Sequence, residues 1–267
     1  MRIANRAVVV TGASSGIGRE TARLLAAHGG EVLAVARSRD ALATLASEQQ
    51  GIEPLVADLA TEAGRAAVAG SPIGARAEVL VNNAGIGWLG RFEDMSADDV
   101  SAMVDLNVVA TIDLCRLLLP TMLDRRCGHI VNVASVASWL ALPSLTVYSA
   151  TKFGVQGFSE GLRRELAGRG VAVTTVNPGP VDTRFGARAR GGDRPTDELA
   201  EGPWPGVPAS WVARAVVRAV RMGGAPGYVS IAVPRVIGFA RLGALPGARL
   251  VVDAGNRLIG GRIWRGQ

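Results

Sequence analysis

The sequence predicts a doubly wound α/β domain, a mainly parallel seven-stranded sheet with helices on both faces. Three observations carry that expectation. Short runs rich in β-branched residues recur seven times along the 267 residues. Longer segments with apolar residues at three- and four-residue spacing lie between them, and several end in glycine, which closes helices because it accepts left-handed backbone. Nothing resembling a linker divides the pattern. A single domain over residues 1–267 is therefore expected, with parallel strands because each intervening helix carries the chain back to the same end of the sheet.

Taken in order, the strand runs are "AVVV" (7–10), "EVLAVA" (31–36), "EPLVA" (53–57), "EVLVN" (78–82), "HIVNVA" (129–134), "VAVTTV" (171–176) and "YVSIAV" (228–233). The first helical pattern, "GRETARLLAAHGG", and a later one, "TKFGVQGFSEGLRRELAGRG", show the amphipathic spacing most plainly. Two regions break the rhythm. Residues 184–210 are rich in Gly, Pro and Arg, and so long a connection in a compact domain reads as a lid over the substrate. Residues 224–267 are apolar but interrupted by Pro234, Arg235, Arg241, Pro246 and Arg249. Such breaks rule out a spanning helix, which needs about 20 mostly apolar residues. This C-terminal extension is read as packing on a partner subunit, lining the substrate pocket or touching a membrane surface.

Composition narrows the function. Hydrophobic residues at 48% can fill a core of this size, which excludes disorder. A net charge of +6 and a pI near 10.5 favour anionic partners. The arginines are nevertheless spread along the chain and aromatic residues are only 4%, whereas nucleic-acid binders concentrate charge in a stripe. A small anionic ligand met by a local arginine is the expected case, and nucleic acid is not. Cys115 and Cys127 lack metal or redox spacing and read as reduced thiols of a cytoplasmic protein. The opening "MRIANRAVVVTGASSGIG" ends in a glycine-rich turn after one strand's length, so it reads as a strand and not a leader. His28 and His129 fall outside every motif, and no metal site is expected.

The ends of the strands carry the chemistry, because open α/β sheets bind ligands at the carboxyl edge. After the first strand comes "TGASSGIG", with Gly12, Gly16 and Gly18 spaced GxxxGxG. Glycines let backbone approach a pyrophosphate, and the helix that follows presents N–H donors and positive potential. After the second strand, "AVARSRD" offers Arg37 where an acid would read a free ribose, so a 2′-phosphate is the expected guest. Asp58 follows the third strand, placed to accept from an adenine amino group. "NNAG", with Asn83, Ala84 and Gly85, follows the fourth.

One further stretch is chemically pointed. "YSATK" places Tyr148 and Lys152 four residues apart, on one helical face, and Lys152 is the only lysine in the chain. Together the motifs resemble the short-chain dehydrogenase/reductase family from about residue 5 to 183: "TGASSGIG", "ADL", "NNAG", "LN" at Leu106–Asn107, "IVNVAS" ending at Ser135, "YSATK" and "NPGPVDT" ending at Thr183. The resemblance implies a Rossmann-like fold, an NADP(H) cofactor and a tetrad. Tyr148 would be the general acid or base, its phenol shifted toward neutral pH by the Lys152 charge. Ser135 would bond the substrate oxygen, with Ser138 a weaker rival. Asn107 would hold a water that reconnects Lys152 to solvent.

The same resemblance puts the cofactor against Gly12, Ser14, Ser15, Gly16, Ile17 and Gly18, then Arg37, Asp58 and Leu59, then Asn83, Ala84 and Gly85. Tyr148, Lys152, Pro178, Gly179, Val181 and Thr183 complete the set, with Thr183 on the nicotinamide carboxamide. The implied activity is interconversion of a carbonyl and an alcohol on a small hydrophobic molecule, with Trp139, Leu140 and Leu142 as candidate pocket residues. The family's members are commonly homo-oligomers. A dinucleotide-binding sensor or scaffold without turnover is the alternative.

Overall fold

In the computed structural model, the described residues are 1–183, 185, 186, 189, 191, 206–223 and 230–233. Seven strands form one sheet: β1 (Ala7–Thr11), β2 (Glu31–Ala36), β3 (Ile52–Val56), β4 (Val79–Asn82), β5 (Gly128–Val133), β6 (Val171–Pro178) and β9 (Ser230–Val233). Their order is β3-β2-β1-β4-β5-β6-β9, and every neighbouring pair is parallel. Two short strands, β7 (Val181–Asp182) and β8 (Val207–Pro208), form a separate parallel pair.

Central β1 and β5 are buried at every position, which is why their sequences read as continuous apolar runs and not as alternation. The edge strand β3 is largely exposed and carries Pro54, which removes a donor from the open edge. One face of the sheet is covered by α1 (Gly16–Ala27), α2 (Arg39–Glu48) and α7 (Ala209–Met222), through Ala22, Leu25, Leu42, Leu45, Val212 and Val216. The other face is covered by α3 (Glu62–Gly70), α5 (Ala110–Asp124) and α6 (Thr146–Glu165), through Val68, Leu114, Leu118, Met122 and Leu162. Leu25 and Leu114 are almost fully buried, so truncating either to Ala costs about 2–5 kcal/mol.

Between α4 (Ala97–Val104) and α5 the helix widens into a π turn over Asp105–Val109. An extra residue in a helical turn redirects side chains, and here Asn107 lies inward and buried. The strand order reverses between β1 and β4, opening the crevice at their carboxyl ends where such sheets hold ligands.

Within the segment 184–210, expected as a lid, residues 207–208 form β8 and 209–210 begin α7. A backbone hydrogen bond from Val207 N–H to the Pro180 carbonyl (2.9 Å) anchors that end. Most of the rest of that segment, and the extension beyond β9, lie outside the described residues.

Candidate active site

At the crevice, β1 runs into the glycine turn and β4 into Asn83, Ala84 and Gly85. The Thr11 hydroxyl accepts from the backbone N–H groups of Asn83 (2.9 Å) and Ala84 (3.0 Å). The Asn83 amide returns the tie by donating to the Thr11 carbonyl at 3.0 Å. A Cβ on Gly12, which has φ +67°, would meet Ala84 Cα at 2.9 Å, and one on Gly18 would strike the Asn83 amide. Glycine is thus required where the turn and the end of β4 are pressed together. The Asn83 side-chain N–H group is engaged in this clasp.

Ser14, Ser15 and Ile17 lie along the partly buried turn, with Ser15 at the N-cap of α1 and Ile17 against the core. Gly16 faces Thr183: a Cβ there would sit 3.1 Å from the Thr183 methyl group. Thr183 therefore borders the glycine turn, with Val181 just before it in β7. Pro178 ends β6, and Gly179 N–H donates to the Val233 carbonyl at 2.9 Å, holding this loop to the last strand.

The tetrad candidates converge from three elements. The Asn107 amide pairs with both backbone groups of Ile86, donating to its carbonyl and accepting from its N–H, each at 2.9 Å. It also donates to Thr151 Oγ1 at 3.1 Å, and Thr151 donates to the Tyr148 carbonyl at 2.7 Å. The π turn thereby locks the loop after β4 to the first turns of α6. The Asn107 backbone carbonyl accepts from Thr111 Oγ1 at 3.0 Å.

Lys152 is buried, and its ammonium donates to the Val133 carbonyl at 3.1 Å, 5.6 Å from the Tyr148 ring centre. A Cβ on Gly85 would come within 3.8 Å of Lys152 Nζ, so the glycine leaves open the space beside the amine. Burial pushes the Lys152 ammonium down to about 8, with no carboxylate among the described residues offsetting it. Burial also pushes the Tyr148 phenol up to about 12, against a smaller opposing effect of its hydrogen bond with Ser135. Burial is thus the larger of these two effects on the phenol.

Ser135 caps a short 3₁₀ turn, accepting from Ala137 N–H at 3.1 Å. Ser138 is buried and turned away, donating to the Ser135 carbonyl (2.6 Å) and lying 2.9 Å from the Asn177 amide, which reaches Ser230 at 3.0 Å. Of the two serines, only Ser135 meets the phenol.

Outward from this cluster, Arg37 is exposed at the end of β2, beside Ser38 at the N-cap of α2. Asp58 is exposed with one oxygen accepting from Ala60 N–H at 3.1 Å, whereas the Leu59 side chain is buried in the core. The loop they occupy is held by Arg65, which donates to the carbonyls of Leu59 (3.0 Å) and Ala60 (3.1 Å) and to Asp113 of α5 (2.6 Å). Phe185 overhangs Tyr148 with ring centres 5.8 Å apart, and a Cβ on Gly87 would approach the same ring at 3.1 Å. Of the expected pocket residues, Trp139 is buried in the structure, while Leu140 and Leu142 are partly exposed.

Arg65, Thr151 and Phe185 were not singled out in the sequence. Thr151 alone had a signal, its place inside "YSATK" three residues after the tyrosine. Among the described residues no group of His, Cys, Asp and Glu is arranged to hold a metal.

Fold and site together define a doubly wound α/β protein with a phosphate-type glycine turn facing a Ser–Tyr–Lys cluster. The chain belongs to the short chain dehydrogenase family, which matches residues 6–193. It is 33% identical over 196 residues to an uncharacterized oxidoreductase of Staphylococcus aureus, spanning 72% of this chain and 85% of that protein. It is similar to a short chain dehydrogenase/reductase of Burkholderia phymatum in complex with NAD, with TM-score 0.78 and 27% identity over 91% of this chain and 94% of that one. It is likewise similar to a short-chain dehydrogenase of Sphingobium yanoikuyae in complex with NADPH, with TM-score 0.77 and 29% identity over 92% and 94% of the two chains.

Proposed function

We propose that this protein is an NADP(H)-dependent oxidoreductase that interconverts a carbonyl and an alcohol on a small hydrophobic substrate. The observation that carries the reading is Lys152: a buried amine with no carboxylate partner among the described residues, beside a phenol that shares a hydrogen bond with Ser135. A structural lysine at this depth would be paired, because burying a lone charge is costly. An unpaired one, facing the space Gly85 leaves open, is suited to the hydroxyls of a ribose.

The glycine turn fits a pyrophosphate, since Gly12 and Gly16 take left-handed backbone and a Cβ would close the approach. The solved relatives bind NAD in one case and NADPH in another. The choice for this chain therefore rests on its own residues. Arg37 stands at the end of β2 with no acid before Asp40, and the N-terminal N–H groups of α2 lie next to it, an environment for a 2′-phosphate.

A bound nicotinamide supplies or accepts the hydride. Tyr148 gives its proton to the carbonyl oxygen as charge develops there, and Ser135 donates a hydrogen bond to the same oxygen. Lys152 keeps positive potential beside the phenol and orients the ribose. Phe185 above Tyr148 supplies an apolar wall, which excludes water and favours hydrophobic carbonyls. Tyr148→Phe tests the assignment. Turnover of a ketone with NADPH is expected to fall about a thousandfold while NADPH still binds, and near-normal turnover in that variant would sink the mechanism.

A further inference from the structure

The charge of this chain is divided unevenly. From Gly206 to Gln267 the sequence holds nine arginines and a single acid, Asp253, whereas residues 1–205 hold 20 basic and 22 acidic side chains. The arginines are spread along the chain, but the acids are not. All of the positive excess belongs to the C-terminal portion, and α7 is its best described part.

Helix α7 contains no acidic residue. It buries Val212, Val216 and Val220 and turns Trp211, Arg214, Arg218, Arg221 and Met222 to solvent. Trp211 is 49% and Met222 45% exposed, large fractions for such side chains. None of the three arginines forms an ion pair with the described residues. Arg221 also shares the wall of a cavity of about 480 Å³ with Arg2 and His28, over Ile3 and Ala4. Beyond β9 the sequence keeps this character, with six arginines set among runs such as "VIGFA" and "RLVV".

We propose that the exposed face of α7, with Arg2 at its end, is a docking surface for an anionic lipid bilayer. Arginines on an amphipathic helix meet headgroup phosphates while a tryptophan and a thioether enter the interfacial layer. Duplex phosphates would use the arginines alone, whereas a bilayer uses the arginines together with the exposed Trp211 and Met222. Among the described residues no helix is long and apolar enough to cross a membrane, so the contact proposed is peripheral. It is independent of the catalytic reading, because α7 places no side chain at the Ser–Tyr–Lys cluster.

Flotation of the full chain with vesicles decides the matter. One set is phosphatidylcholine alone and the other contains about a third phosphatidylglycerol. The protein is expected to float with the anionic vesicles only, at about 0.1 M salt, and to be released at about 0.5 M. The triple variant Arg214→Gln, Arg218→Gln, Arg221→Gln is expected to lose about a hundredfold in partitioning. Its thermal midpoint and circular dichroism should match those of the parent, and the salt dependence of the unmodified protein supplies a reading that needs no variant. Three outcomes would overturn the proposal: no flotation with anionic vesicles, equal flotation of a folded triple variant, or tighter retention on duplex DNA than on vesicles.

Discussion

Lys152 is held where an ammonium is at a disadvantage, and the protein is expected to be less stable for keeping it. A folded value near 8 against an ordinary value of 10.5 means that the unfolded chain binds the extra proton between those limits. Stability should therefore rise with pH across that window, and at pH 7 the buried charge costs about 3 kcal/mol. Replacing it by Met removes this cost and forfeits the bond to the Val133 carbonyl, about 1 kcal/mol. Lys152→Met is thus expected to raise the thermal midpoint by roughly 2–5 °C while abolishing turnover, as calorimetry and a rate assay would show. The same titration sets the pH profile. Tyr148 keeps its proton up to about 12, so in the reducing direction kcat/KM should be flat below pH 8 and fall above it as Lys152 loses its charge. At the edge of the site, Arg37→Asp should shift the NADPH-to-NADH preference at least about tenfold toward NADH, and an unchanged ratio would make Arg37 a bystander. Lys152 was legible because it is the only lysine in an arginine-rich chain. The depth at which the phenol is buried was not, because it depends on packing that no motif contains.

At the scale of elements, the π turn before α5 is the device that assembles the site. Asn107 makes two hydrogen bonds to Ile86 and one to Thr151, so Asn107→Ala leaves part-buried backbone groups without partners. A loss of about 2 kcal/mol or more is expected in denaturant unfolding, with kcat falling because Lys152 and Tyr148 share the helix that Asn107 secures. The sequence pointed to the asparagine but not to the turn, since a helical period of 3.6 gives no sign of one inserted residue. Strand boundaries were read to within a residue or two for the buried runs, where β-branched side chains dominate. The β7–β8 pair went unread: two-residue strands within Gly- and Pro-rich sequence carry no periodicity. The buried Arg65, which ties the Asp58 loop to α5 through Asp113, was equally invisible, because its partner stands 48 residues away.

Across the whole molecule, the parallel sheet buries His129 at the start of β5, with Nε2 2.9 Å from Thr174 Oγ1 and the ring pushed down to about 4 by burial. The unfolded chain binds that proton near the ordinary 6.5, so stability is lost as pH falls from about 6.5 toward 4. Between pH 7 and pH 5 the loss should be about 2 kcal/mol, visible as a drop in the urea midpoint that His129→Leu flattens. The strand order and the convergence of motifs at one edge were legible because each motif followed a strand run, and a parallel sheet brings all such ends together. The central claim is that this edge transfers hydride to a carbonyl carbon. Its most direct measurement is mass spectrometry of the alcohol formed from a panel of hydrophobic ketones and aldehydes with NADPH deuterated at C4, using each face in turn. One deuterium bonded to the former carbonyl carbon, from one face only, is the result expected. Alcohol formed without deuterium from either face, or no reduction of any carbonyl while NADPH binds, would contradict it.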